Sequence, residues 1–228
     1  MIQQIRQKPD LVEEVYEALK GAILMGDLAE SEAMVQDDLV EKLGVSRQPV
    51  SHALALLKHE GLVIERGRRG LMVAPIDAAR IRALYQVRGA IDGLAAGLAA
   101  GRAIFGGLKA EERAPLEQAL KIGEAAVKAN DIRDLVEADV NFHRAVYMLS
   151  GNLAIGEMVQ PSWPHFQRSM RIVLEDPDYR QRAWAEHRDI AEAIMNSQAR
   201  HAEELARQHA TDAGETTFIR LSQRTAAA

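Results

Sequence analysis

The 228-residue chain reads as mainly α-helical and in two parts: a three-helix unit closed by a β-hairpin over residues 1–75, then an all-α helical bundle over residues 76–228. Three observations predict this. Aromatic residues make up only 4% of the chain while alanine and leucine abound, a balance that suits closely packed helices better than stacked sheets. Apolar residues recur at helical spacing along most of the length. The one strong hairpin signal, two short β-prone runs around Gly67-Arg68-Arg69-Gly70, ends before Pro75-Ile76-Asp77, and no strand pattern recurs after it.

Taken in order, Leu11, Val15, Ala18, Leu19, Ala22 and Ile23 mark one face of a first helix that Gly26-Asp27 ends. A second helix is expected from Ser31, a plausible cap, to Leu43, with Gly44 suited to the left-handed position behind it. The third starts at Ser46, tolerates Pro49 in its first turn, turns Val50, Leu54 and Leu57 inward, and stops at Gly61. Leu62–Arg66 and Leu71–Ala74 then form the hairpin. Three helices with such a hairpin make a winged helix-turn-helix. Beyond Pro75 about six helices are expected: 77–103, 109–129, 132–149, 153–174 with a break near Pro161 or Pro164, 178–195, and 198 to about 221.

Composition bounds the chemistry. Hydrophobic residues at 47% with 27% charged describe a globular chain that can bury a core. The absence of cysteine excludes disulfides, zinc-thiolate sites and cysteine nucleophiles, and fits a reducing compartment. No signal-like run opens the chain and no stretch of about 20 apolar residues could span a bilayer, so a cytoplasmic protein without membrane contact is expected.

The net charge of −5 hides a local reversal. Between Gly44 and Pro75 five basic residues, Arg47, Lys58, Arg66, Arg68 and Arg69, face only Glu60 and Glu65. A basic edge on an acidic chain is what phosphate selects. The third helix presents Arg47, Gln48, Ser51 and His52 away from its core side, near the end that usually enters the major groove, where arginine suits guanine and glutamine suits adenine. Arg66, Arg68 and Arg69 on the wing would meet the DNA backbone or a minor groove. The plainer reading is a helix-turn-helix used for protein contacts.

Leu39, Leu43-Gly44-Val45-Ser46-Arg47-Gln48-Pro49-Val50, Ala53-Leu54, Leu57, Glu60-Gly61-Leu62-Val63, Arg69-Gly70 and Val73 together resemble the GntR family of bacterial regulators. The resemblance implies a regulator docked on a double-stranded DNA operator. In that family Arg-Glu commonly follows the Pro-Val pair, where this chain has Ser51-His52, and Pro-Gly commonly follows the first helix, where it has Ala29-Glu30. The docking mode carries over; the operator sequence does not.

In the second part, Asp139 and His143 stand four residues apart on one helical face, where they can share a metal or simply a hydrogen bond. His187 and His209 lie on two further predicted helices. Asp139, Phe142-His143, Ser150-Gly151-Asn152, Glu186-His187, Ala193-Ile194 and His209 are similar to the helical effector domain, of FCD type, of the FadR-like subgroup. That resemblance implies Asp139, His143, His187 and His209 as ligands of a divalent transition metal, zinc ahead of nickel or manganese. It also points to Tyr85, Arg88 and Asp92 near a small carboxylate effector, with Arg88 gripping the acid or else paired with Asp92. Trp163 and His165 are further lining candidates; His201 is expected to be exposed. Gly89, Gly93, Gly97 and Gly101, one every fourth residue, call for close approach of another helix, within the chain or across a homodimer. The rival reading is a helical metalloenzyme, for which no general base stands out beside the ligand set.

Overall fold

The computed structural model describes residues 11–67, 70–104 and 107–227, and the chain divides into two compact units, Met1–Pro75 and Ile76–Ala228.

In the first unit α1 (Leu11–Met25), α2 (Gln36–Leu43) and α3 (Arg47–His59) surround one apolar core with a small sheet. The inward faces carry Val15, Leu19 and Ile23 of α1 and Val50, Ala53, Leu54 and Leu57 of α3. Gly44 ends α2 at φ 65°, its N–H donating to the Val40 carbonyl at 3.0 Å. That left-handed residue makes the short turn into α3.

The sheet has three antiparallel strands in the order β1 (Ala33–Met34), β3 (Leu71–Val73), β2 (Val63–Glu65), with Ala33 opposite Met72 and Val63 opposite Val73. The extra strand corrects the expected second helix. Ser31 sits at φ 64° with its N–H bonded to the Val73 carbonyl, so it anchors β1 rather than capping a helix, and α2 begins five residues later. Ser46 holds the extended N-cap conformation of α3 without a side-chain cap bond.

Among the described residues the second unit has seven α-helices: α4 (Ala78–Ile104), α5 (Ala110–Ala129), α6 (Ile132–Ser150), α7 (Leu153–Val159), α8 (Trp163–Val173), α9 (Pro177–Met195) and α10 (Ala199–Ala227). One helix more than expected arises because a 3-10 turn at Gln160–Ser162 and the prolines around it divide the 153–174 segment in two. Asp131 and Asp176 cap α6 and α9, each carboxylate accepting two backbone N–H groups.

The glycine stripe resolves as a contact within the chain. A Cβ on Gly93 would stand 3.0 Å from the Glu203 carbonyl, one on Gly89 3.3 Å from Thr211, and one on Gly97 3.4 Å from Glu203, so α10 lies almost backbone to backbone on α4. Gly101 has open space instead. From the other side Gly214 of α10 meets Tyr85 of α4, where a Cβ would come within 2.5 Å. Among the described residues, no helix is long and apolar enough to cross a membrane.

Candidate metal centre and nucleic-acid interface

Helix α3 places its predicted contacts outward. Arg47, Gln48, Ser51 and His52 are all exposed, opposite the buried Pro49, Val50, Ala53 and Leu54. Arg47 is paired with Asp37 of α2 at 2.8 Å with both side chains largely solvated, and Gln36 donates to the Arg47 carbonyl. So exposed a pair contributes at most ~1 kcal/mol and yields easily to a phosphate or a base. Arg66 is exposed at the end of β2; Arg68 and Arg69 lie outside the described residues.

In the helical unit α6, α9 and α10 bring Asp139, His143, His187 and His209 together at its centre, with one ligand-competent atom of each within 4.8 Å of all the others. All four are buried. His143 Nε2 stands 3.7 Å and His187 Nε2 3.6 Å from the Asp139 carboxylate, and His187 Nε2 lies 3.1 Å from His209 Nε2.

The outer nitrogens explain which way the rings point. Glu186 of α9 holds His209 Nδ1 at 2.7 Å and Asp92 of α4 holds His143 Nδ1 at 3.2 Å. A carboxylate that accepts a hydrogen bond from Nδ1–H leaves the Nε2 lone pair free for a cation. Among the described residues, His187 Nδ1 has no such carboxylate partner. Its ring is wedged between Phe142, stacked at 4.1 Å, and the edge of Trp184 at 4.7 Å. Trp184 reaches it because Gly123 of α5 has no side chain: a Cβ there would sit 2.0 Å from the indole.

The residues present fit a metal. Asp139 Oδ2 and His143 Nε2 are buried and accept or donate no hydrogen bond, an expensive state for polar atoms that a cation would relieve. Two ring nitrogens at 3.1 Å must share a proton or a cation; nitrogens each about 2.0–2.1 Å from one zinc ion stand at a similar separation. One carboxylate and three imidazoles suit transition metals better than calcium or magnesium.

The electrostatics favour neutral, ligating imidazoles. Burial, then His209, His143 and Arg88, hold His187 well below its ordinary 6.5. Burial and Arg88 lower His143 despite Asp92. Burial pushes the Asp92 carboxyl up, but Arg88, His143 and Tyr147 together outweigh it and bring it down to about 2.

Of its two sequence readings, Arg88 shows the pair with Asp92. Its Nε donates to Asp92 at 3.2 Å, while one terminal nitrogen lies 3.9 Å from Asp139. The guanidinium is boxed by the rings of Tyr85, Trp163 and Phe166. Asp92 is thus enclosed by Arg88, His143 and Tyr147, whose hydroxyl donates to it. The free space beside the cluster, bounded by Tyr85, Arg88, Asp139, Tyr179 and His209, is about 10 Å³, room for about one water molecule. Trp163 is buried 6.2 Å from the His143 ring; His165 is half-buried and outside the four-residue cluster, and His201 is exposed.

Sequence reasoning missed Tyr147 and the orienting role of Glu186. Tyr147 was detectable, since it continues the Asp139, His143 face by one more turn. Glu186 gave no spacing signal because its partner is 23 residues away on another helix.

A winged helix-turn-helix on the same chain as a helical unit that encloses such a cluster is the make-up of a DNA-binding transcriptional regulator. Residues 11–73 match the bacterial regulatory proteins of the gntR family and residues 83–212 match the FCD domain, so the chain belongs to the GntR family and carries an FCD domain.

The chain is similar to a helix-turn-helix regulator in the unstable DNA locus of Streptomyces ambofaciens, 28% identical over 86% of this chain and 80% of that one. A regulator from the TAR-I intergenic region of Agrobacterium vitis is 31% identical over 59% of this chain and 78% of its own. A GntR regulator structure from Rhodococcus sp. RHA1 shares the fold at TM-score 0.75 and 22% identity, covering 90% of this chain and 96% of that one. The family and these relatives are transcriptional regulators, not enzymes.

Proposed function

We propose that this regulator is a cytoplasmic homodimer that reads paired DNA half-sites with residues 1–75 and senses a small carboxylate with residues 76–228. Arg47, Gln48, Ser51 and His52 make the base and phosphate contacts, with Arg66, Arg68 and Arg69 of the wing on the backbone.

Asp139, His143, His187 and His209 hold a divalent transition metal, zinc foremost and nickel or manganese as alternatives. The observation that carries this is the buried Asp139 Oδ2 and His143 Nε2 without hydrogen-bond partners in a four-donor cluster. When bound, the metal supplies a positive charge that draws an acid to the cluster. Arg88 offers the carboxylate a second cation, Asp92 and Glu186 orient His143 and His209, and Tyr85, Trp163 and Phe166 keep bulk water from the guanidinium. Trp163 and His165 are retained as effector-side candidates.

Support for the homodimer comes from the face of α4 turned away from the glycine stripe. Leu84, Val87, Ile91, Leu94 and Leu98 repeat there at heptad spacing, with Val87 60%, Leu94 48% and Leu98 38% exposed. A second copy of the same seam would cover them.

Selection of genomic DNA by the metal-loaded protein tests the whole reading. It should recover a two-fold symmetric site that an organic acid releases from the metal-loaded protein but not from chelator-treated protein. Equal release from both would overturn the metal-anchored pocket, and unchanged selectivity in Arg47→Ala combined with Arg68→Ala would overturn the DNA interface. The narrow space beside the cluster favours one second reading, a metal sensor with no organic effector. In that case metal alone shifts DNA affinity and Arg88→Ala leaves the shift intact.

A further inference from the structure

A second concave site lies beside α6, α7 and α8, and none of the four clustered residues lines it. Tyr147 and Met148 of α6, Leu153 of α7 and Trp163 of α8 form the apolar walls of an open slot of about 260 Å³. Met148 and Leu153 remain 69% and 82% exposed, and both line the slot. Gly156 of α7 belongs to the same lining, and a Cβ there would meet nothing within 4 Å. Unlike Gly89 and Gly93, this helical glycine admits no neighbouring helix; it widens the slot, at a cost of about 1 kcal/mol of helix propensity.

Polar groups stand at the rim. Arg144 is exposed, with its guanidinium 5.9 Å from the Trp163 ring, and makes no ion pair among the described residues. Asn152 and Gln160 contribute side-chain amides, and no acidic residue lines the slot. An apolar cleft with one uncompensated cation and two amides at its mouth matches an amphipathic anion: a hydrophobic body against Trp163, Met148 and Leu153, and a carboxylate on Arg144. Its volume is near the lower end of the ~300–1,000 Å³ of small-molecule pockets, which suits a single-ring acid.

We infer that this slot between α6, α7 and α8 is a binding site for an aromatic or similarly compact apolar monocarboxylate, anchored by Arg144 and separate from the metal cluster. The two sites share walls without sharing ligand atoms: Trp163 touches both Arg144 and Arg88, and Tyr147 lines the slot while its hydroxyl donates to Asp92.

Phenylacetate and its neutral isostere phenylacetamide are suitable probes, titrated by calorimetry and by tryptophan fluorescence into the full chain with and without chelator. Phenylacetate should bind in both states, at least tenfold more tightly than phenylacetamide. Arg144→Gln should remove that preference, and Leu153→Glu should weaken phenylacetate at least tenfold. Both positions are exposed, so the variants should keep the wild-type circular dichroism.

Absence of phenylacetate binding, or equal affinity for the acid and the amide, would overturn the proposal. So would phenylacetate binding that disappears with chelator yet survives Arg144→Gln, since the acid would then belong to the metal cluster. If Leu153→Glu changes the oligomeric state and leaves phenylacetate affinity untouched, the slot is a contact between copies of the chain and the proposal fails.

Discussion

The two units place their functional groups in opposite ways. In the winged unit the buried side chains among the described residues are apolar, Pro49 included, apart from the Tyr16 hydroxyl, which donates to Glu60, and Arg47, Gln48, Ser51, His52 and Arg66 all lie on the outside. In the helical unit the candidate groups are the core itself: Arg88, Asp92, Asp139, His143, His187 and His209 are all at most 7% exposed. A surface reader can change its contacts without changing its fold. A buried polar cluster cannot, because removing one of its groups leaves the partner uncompensated.

Substitutions should therefore separate the units sharply. The largest effect is expected for His187→Ala or His209→Ala, which should cut zinc affinity by more than the ~10–100-fold typical of losing an orienting partner and abolish the thermal stabilisation that zinc gives. Competition with a chromophoric chelator and a melting curve with and without metal would measure both. Wild-type zinc affinity in His187→Ala would remove the cluster from consideration.

Glu186→Gln should fall in the ~10–100-fold range itself, because a neutral amide oxygen accepts the His209 Nδ1–H bond more weakly than a carboxylate does. A loss limited to His209 geometry, with secondary structure intact by circular dichroism, would separate orientation from folding.

Arg47→Ala should weaken operator binding by about 1–3 kcal/mol while moving stability by less than ~0.5 kcal/mol. A melting temperature that falls together with DNA affinity would blur the contrast between the units. Gly123→Ala should do the reverse. Its Cβ must displace Trp184 and disturb His187, costing about 1–3 kcal/mol of stability with little change in DNA contacts.

The smallest effect concerns pH. His187 and His143 titrate below their ordinary 6.5 in the folded chain, so the unfolded chain takes up protons first. Their contribution is complete above about 6.5 and is lost as pH falls from there toward the folded values. Chelator-treated protein should accordingly melt at lower temperature at pH 5.5 than at pH 7.5, a difference that bound zinc should reduce.

Legibility in the sequence followed the range of the interactions. Helices α4 to α10 could be read to within a few residues, apart from the proline-divided segment and the C-terminal end of α10, because their periodicity is local. The strand Ala33–Met34 could not: it is two residues long and exists through its pairing with Leu71 and Met72. Ser31 misled for the same reason, its residue type fitting a cap while β3 holds it at positive φ. The metal-competent residues were legible as an i, i+4 pair plus two histidines that matched a family pattern. What surrounds them, the Asp92 and Glu186 supports and the Trp184 wedge under Gly123, depends on contacts between helices far apart in sequence.

One of these contacts bears on how the buried cluster is held in place. Gly89, Gly93 and Gly97 form a regular trough for α10, and Gly101 continues it with open space, so the trough alone would accept α10 at more than one step along its length. Gly214 against Tyr85 has no repeat. It acts as a pin in a track: a displacement of one turn, about 5.4 Å, would carry a side chain into the phenol. Because His209 rides on α10 and Tyr85 borders the space beside it, the pin indexes His209 to the track, so that the four-residue cluster is assembled in one register of the two longest helices.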